Sequence, residues 1–119
     1  MAQSRSIGQL ADRQVPVCRL DEKISDVAER LRASEWSECV VTNPSGIVLG
    51  MLRKAMWEGV ENGMLVEQTM EAGPATFRPH VRHDEMFAYM QKKKLKTALV
   101  TSPDGKLIGI VRRKELMKK

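Results

Sequence analysis

TSPDGKLIGIVRRKEL (residues 101–116) and the earlier stretch TNPSGIVLGMLRKAMW (residues 42–57) together decide the fold. A shift of 59 positions lays one on the other without a gap. Thr42 falls on Thr101, Pro44 on Pro103, Gly46 on Gly105, Gly50 on Gly109 and Arg53 on Arg112. The shift holds upstream, where SDVAERLRASEWSECVV lies over DEMFAYMQKKKLKTALV and IGQLADR over VEQTMEA. The chain is one unit written twice, with residues 7–60 and 66–119 as the repeats and 61–65 between them. Neither copy is large enough to bury a core alone, so two units packed face to face are expected.

Each copy opens on an extended piece, VPVCRL or PATFRPHV. A helix follows, with Ile24, Val27, Ala28 and Leu31 at helical spacing in the first copy and Met86, Phe87 and Met90 in the second. Asp84 and Glu85 suit the start of the second helix. A strand (ECVVT or TALVT), a tight turn at NPSG or SPDG and a second strand come next. A closing helix starts near Arg53 or Arg112 and is broken in the first copy by Gly59 and Gly63. The order is β-α-β-β-α twice, an α+β fold.

The 119 residues, 42% hydrophobic and 29% charged, suit a small globular protein. No run approaches the roughly 20 apolar residues of a membrane span, and the N-terminus lacks the apolar core of a signal peptide, so a cytoplasmic protein is expected. Cys18 and Cys39 read as buried free thiols, because no histidine stands at ligand spacing from them. Residues 1–59 hold eight basic and eight acidic side chains, whereas residues 60–119 hold twelve and seven and so supply the whole net charge of +5. His80 and His83 have no nucleophile or metal cluster beside them, and no triad, Walker loop or paired-carboxylate motif is visible. An enzyme is not expected.

This pattern resembles the CBS domain, named for cystathionine β-synthase, in its tandem form, the Bateman module. The resemblance covers nearly the whole chain and rests on the element order, the xSG or xDG turn and the glycine-led apolar step at Gly50 and Gly109. It implies two repeats packed through their sheets with pseudo-twofold symmetry, and two clefts. Such clefts often take AMP, ADP, ATP or S-adenosylmethionine as regulatory ligands, and pairs of chains commonly form homodimers. Many members carry Gly-h-h-Thr/Ser-x-x-Asp, the Asp holding the ribose hydroxyls and the hydroxyl residue meeting phosphate. The chemistry is sound, since paired hydroxyls suit a carboxylate acceptor and phosphate suits free N–H groups with positive charge.

This chain departs from that signature. The first copy reads GMLRKAM, with Arg53 at the Thr position and Met56 at the Asp position, so no ordinary nucleotide grip is expected there. The second reads GIVRRKE, with Arg112 at the Thr position and Glu115 keeping a carboxylate. The expected ligand contacts are Gly109, Arg112, Arg113 and Glu115, with Ala75, Thr76 and Thr97. The bland alternative is that Glu115 merely pairs with Arg112 on a solvated helix. Trp57, where the family usually has Leu, is expected to be buried between units or chains, and QKKKLK (residues 91–96) reads as a solvated basic helix end.

The resemblance therefore implies a stand-alone regulatory module. It would sense an adenosine nucleotide or another anion and act through a homodimer or a protein partner of unknown identity. A ligand-free scaffold for dimerisation or docking is the alternative. A nucleic-acid binder using the basic second half is a third reading, for which only five aromatic residues are available.

Overall fold

The structure, a computed structural model, describes residues 5–59 and 63–116. Residues 61 and 62 of the expected linker lie outside that range, as does Met117. The described elements run α1 (Ile7–Leu10), β1 (Val17–Cys18), α2 (Ile24–Arg32), β2 (Cys39–Thr42), β3 (Val48–Leu52) and α3 (Lys54–Trp57). Then follow α4 (Val66–Thr69), β4 (Glu71–Ala72), β5 (Thr76–Phe77), α5 (His83–Lys93), β6 (Thr97–Thr101), β7 (Leu107–Arg112) and α6 (Arg113–Leu116). The β-α-β-β-α order is present twice, and the architecture is α+β.

Two compact units form, and they do not coincide with the sequence repeats. One comprises Val15–Pro74; the other joins the described residues through Gln14 to those from Ala75 onward. Each repeat's lead-in, residues 7–14 or 66–74, thus belongs to the unit built on the other repeat. Backbone hydrogen bonds show what the lead-ins do. Ile24, at the start of α2, donates to the Met64 carbonyl at 2.8 Å, and Val66 donates to the Glu22 carbonyl at 2.9 Å. In the other unit His83 donates to the Arg5 carbonyl at 2.7 Å, and Ile7 to the Val81 carbonyl at 2.7 Å. Lys23 and Arg82, the N-cap residues of the two long helices, make no side-chain cap, and lead-in backbone takes over part of that task. His83 is the first residue of α5 rather than part of the preceding loop.

In the Val15–Pro74 unit β1 runs parallel to β2, β2 antiparallel to β3, and β4 adds a fourth strand along β3. This strand is not part of the expected unit; the lead-in of the second repeat supplies it. The other sheet has three strands in the order β5-β6-β7, and the matching lead-in makes only the bridge Asp12–Ile110. Both hairpins carry the same irregularity, between Val41 and Thr42 and between Val100 and Thr101. The turns are alike in mechanism. Asn43 Oδ1 accepts from Ser45 and Ile47, Ser102 Oγ accepts from Lys106, and Gly46 and Gly105 take φ of 85° and 87°.

Cores form where the periodicities meet. Ile24, Val27, Ala28 and Leu31 of α2 pack with Cys18, Cys39, Val41, Leu52 and Trp57. Met86 and Met90 of α5 pack with Ile7, Ala98, Val100, Val111 and Leu116, and Phe87 covers their edge. Trp57 is 4% exposed within its own unit, and its indole N–H donates to the Ser37 carbonyl at 2.8 Å. Cys18 and Cys39 are buried and free, and the Cys39 thiol is held above its ordinary pKa by a hydrogen bond with Cys18 and by burial.

Candidate functional site

The site is built at the end of β7, where the chain turns into α6. Gly109 lies under the first lead-in: a Cβ there would sit 2.6 Å from the Asp12 carbonyl oxygen and 3.0 Å from Ala11 Cβ. That close approach lets Asp12 exchange hydrogen bonds with Ile110, its N–H donating at 2.8 Å and its carbonyl accepting at 3.1 Å. The lead-in is thereby pinned along the strand that ends in Arg112. Gly50 has the same task in the other unit, where a Cβ would meet the Glu71 carbonyl oxygen at 2.8 Å.

Pinning the lead-in brings its carboxylate to the arginine. Arg112 Nη1 lies 3.7 Å from Asp12 Oδ2 and donates to Glu115 Oε1 at 2.8 Å. Arg53 Nη2 lies 3.3 Å from Glu71 Oε1. Asp12 and Glu71 are equivalent under the 59-residue shift, so each arginine at the signature position is answered by the acid of the lead-in that crosses it. The copies differ three residues further on: Met56 places its sulfur 3.5 Å from the Arg53 backbone N–H, where the second copy has the Glu115 carboxylate. The closing helix of the first copy is a single turn ended at Glu58, so helix-dipole attraction at Arg53 is weaker than in a long helix.

Beside Arg112 and Glu115 lies a cavity of about 260 Å³, also lined by Gln9, Leu10, Ile110, Val111 and Leu116. Arg112 and Glu115 are thus the predicted contacts that line it. Gly109 sits under the lead-in, and Arg113 donates its backbone N–H to the Lys96 carbonyl. Thr97 pairs opposite Arg112 across the β6–β7 ladder, Thr76 pairs with Leu99, and Ala75 precedes β5. None of these five lines the cavity.

Sequence reading missed Gln9, Leu10 and Asp12. A signal for Asp12 was present, because both copies carry an acid at this position and an arginine at 53 or 112. Gln9 also caps its own helix, Oε1 accepting from the Ser6 N–H at 2.9 Å. A recess of about 310 Å³ in the Val15–Pro74 unit, bounded by Trp36, Trp57, Arg32 and Lys54 among others, does not include Arg53 or Met56 and is no counterpart of this cavity. Among the described residues no three of His, Cys, Asp and Glu gather as metal ligands, and no helix is long and apolar enough to cross a membrane.

Residues 66–119 match the family model described as the CBS domain. No curated protein compared with the chain matches it. Solved structures match closely in fold. The cytosolic domain of the magnesium channel MgtE, crystallised with ATP, is 18% identical with a TM-score of 0.87 over 96% of this chain and 48% of that one. The present chain therefore spans about half the length of that domain. The CBS domains of a transcriptional regulator from Streptococcus pneumoniae are 15% identical, with a TM-score of 0.84 over 96% of this chain and 98% of that one. The CBS-pair protein CBSX2 from Arabidopsis thaliana, also solved in complex with AMP, is 17% identical, with a TM-score of 0.83 over 98% of this chain and 94% of that one. The second repeat thus matches the CBS-domain model, and the chain as a whole has the fold of the CBS-pair structures.

Proposed function

We propose that the protein is a regulatory module of the cytoplasm that senses an adenosine phosphate at the cavity beside Arg112 and Glu115. The observation that carries the reading is the cavity itself, which Arg112 and Glu115 line together with Leu10, Ile110, Val111 and Leu116, since their ion pair alone is equally what a solvated helix would give. At about 260 Å³ it is smaller than the roughly 300–1,000 Å³ of ligand clefts, so a nucleoside would fill it and phosphates would lie at the rim. Glu115 accepts from Arg112 through Oε1, and its other oxygen remains to take ribose hydroxyls. The Arg112 guanidinium, whose fork matches phosphate, would exchange an acid for the ligand. Thr97, opposite Arg112, and Arg113, next to it, are proposed as rim contacts, and Gly109, Ala75 and Thr76 as their support. Structures of this fold crystallised with ATP and with AMP support the ligand class.

Ligand and Asp12 would compete for Arg112. Binding would then loosen the hold on the lead-in that runs from Ile7 to Asp12, and a dimer contact or a protein partner would read the change. Only a difference in affinity between the two states can drive such a shift. The second reading, a ligand-free scaffold, draws on the same ion pairs, because carboxylates already balance both arginines. Thermal melts with AMP, ADP, ATP and S-adenosylmethionine separate the two. A ligand at about 100 times its Kd adds about 2.7 kcal/mol and raises the Tm by several degrees. Glu115→Ala should remove that rise and Met56→Ala should leave it, whereas no rise with any ligand at millimolar concentration establishes the scaffold.

A further inference from the structure

The unit containing α5 and α6 carries a basic surface that its ion pairs do not explain. Among the described cations Arg19, Arg30, Arg53, Lys54, Arg82 and Arg112 have a carboxylate within 4 Å, and Arg5, Arg13, Lys23, Arg32, Arg78 and Lys106, scattered along the sequence, do not. Lys92, Lys93, Lys94, Lys96, Arg113 and Lys114 have none among the described residues. The Arg113 N–H donates to the Lys96 carbonyl at 2.9 Å, which sets the backbone at the start of α6 beside the exposed Lys92, Lys93, Lys94 and Lys96. The fold does not demand this charge. At the equivalent positions the first copy has Ala33, Ser34, Glu35, Ser37, Lys54 and Ala55. One or two cations would satisfy the C-terminus of α5.

Lys94 makes the point more sharply. It caps α5 in the left-handed conformation, with φ 58° and ψ 39°, where glycine or asparagine is favoured. A cation is kept there at a cost in stability. Beside these charges stands Tyr89, 42% exposed and the large exposed hydrophobic side chain of this unit among the described residues. Its ring is braced edge-on by Phe77 at 5.5 Å, and Lys93 Nζ lies 6.0 Å from its centroid.

We infer that this surface binds single-stranded nucleic acid, the lysines following phosphates and Tyr89 stacking under a base. Five of the six cations are lysines, flexible point charges that can follow a phosphodiester backbone without fixed geometry. A lone tyrosine gives no apolar face for membrane insertion. The surface is distinct from the Arg112–Glu115 cavity and does not depend on nucleotide sensing there.

The test is fluorescence anisotropy of the full chain with a labelled oligouridylate of about 12 nucleotides. Saturable binding is expected, weakening about a hundredfold between about 50 and 200 mM KCl, as about five phosphate contacts require. Lys92→Glu with Lys93→Glu should weaken it at least about tenfold, and Tyr89→Ala about fivefold or more. Lys94→Gly should weaken binding about twofold to threefold while raising the Tm by a few degrees, a combination that a purely structural lysine cannot give. Saturating AMP should leave the oligonucleotide bound. The inference is overturned if no binding appears at about 50 mM KCl, if these variants bind like the parent, if AMP displaces the oligonucleotide, or if polyglutamate or phosphatidylserine vesicles hold the chain as tightly.

Discussion

Arg53 and Arg112 stand at equivalent places in a duplicated chain, and the molecule answers them differently. Glu71 meets Arg53, with a thioether three residues along the chain; Asp12 and Glu115 both meet Arg112, and a cavity opens beside it. The difference teaches that the arginine alone does not make an anion site. In both copies the lead-in acid neutralises it as part of the fold. What distinguishes the second copy is Glu115, a carboxylate beyond the one the fold supplies.

The comparison can be broken first at the anchors of the closing helices. Trp57 and Leu116 are equivalent and almost fully buried, at 4% and 3% exposure. Trp57→Ala should cost about 3–5 kcal/mol and Leu116→Ala about 2–5 kcal/mol in equilibrium urea unfolding. A negligible loss at Leu116 would show that the second copy's closing turn is not anchored as the first copy's is. The arginines come next. Arg112 is 26% exposed and touches two acids, whereas Arg53 is 42% exposed and touches one. Arg112→Ala should destabilise by about 1 kcal/mol and Arg53→Ala by about half that. Double-mutant cycles with Asp12→Ala and Glu71→Ala would show whether the lead-in pairs are equal, and a vanishing coupling at Asp12 would leave Glu115 as the sole partner that matters.

An effect of the same small size lies where the copies share nothing. Glu22 is held below its ordinary pKa of 4.5 first by the hydrogen bond from Arg30, with the Arg19 backbone N–H adding to it. The second copy has Val81 and Tyr89 at the equivalent places. A depressed carboxyl pKa stabilises the fold above the unfolded value, and that stability is lost as pH falls through the folded value. Stability should therefore decline below about pH 4.5 by about 0.5–1 kcal/mol on account of this pair. Urea midpoints measured against pH should show a flatter acid limb in Glu22→Gln.

Much of the fold was legible because duplication gives every local signal twice. Helical spacing at Ile24 and Met86, the Asn43 and Ser102 turns and the glycines at 50 and 109 reinforce one another across the shift. What stayed hidden is long-range. The shift shows that residues 7–13 match residues 66–72, but no local rule says on which copy each will pack. The exchange of lead-ins and strand β4 were therefore out of reach. The proximity of Arg112 and Glu115, three residues apart on one turn, was legible. The cavity lining was not legible at Gln9 and Leu10, which reach it only because Gly109 lets the lead-in cross β7. Thr76 and Thr97 pair within the β5-β6-β7 sheet and Ala75 precedes it, and none of the three lines the cavity.

The exchanged lead-ins bear on how such a chain can be divided. Cleavage between the repeats would not release two finished halves, since each half would leave with the segment that completes the other. A single repeat would present the start of its long helix without the backbone that caps it, and two such fragments could satisfy one another by trading arms. In that light the covalent link turns a domain-swapped pair into one chain, replacing an encounter that depends on concentration with a loop closure that does not.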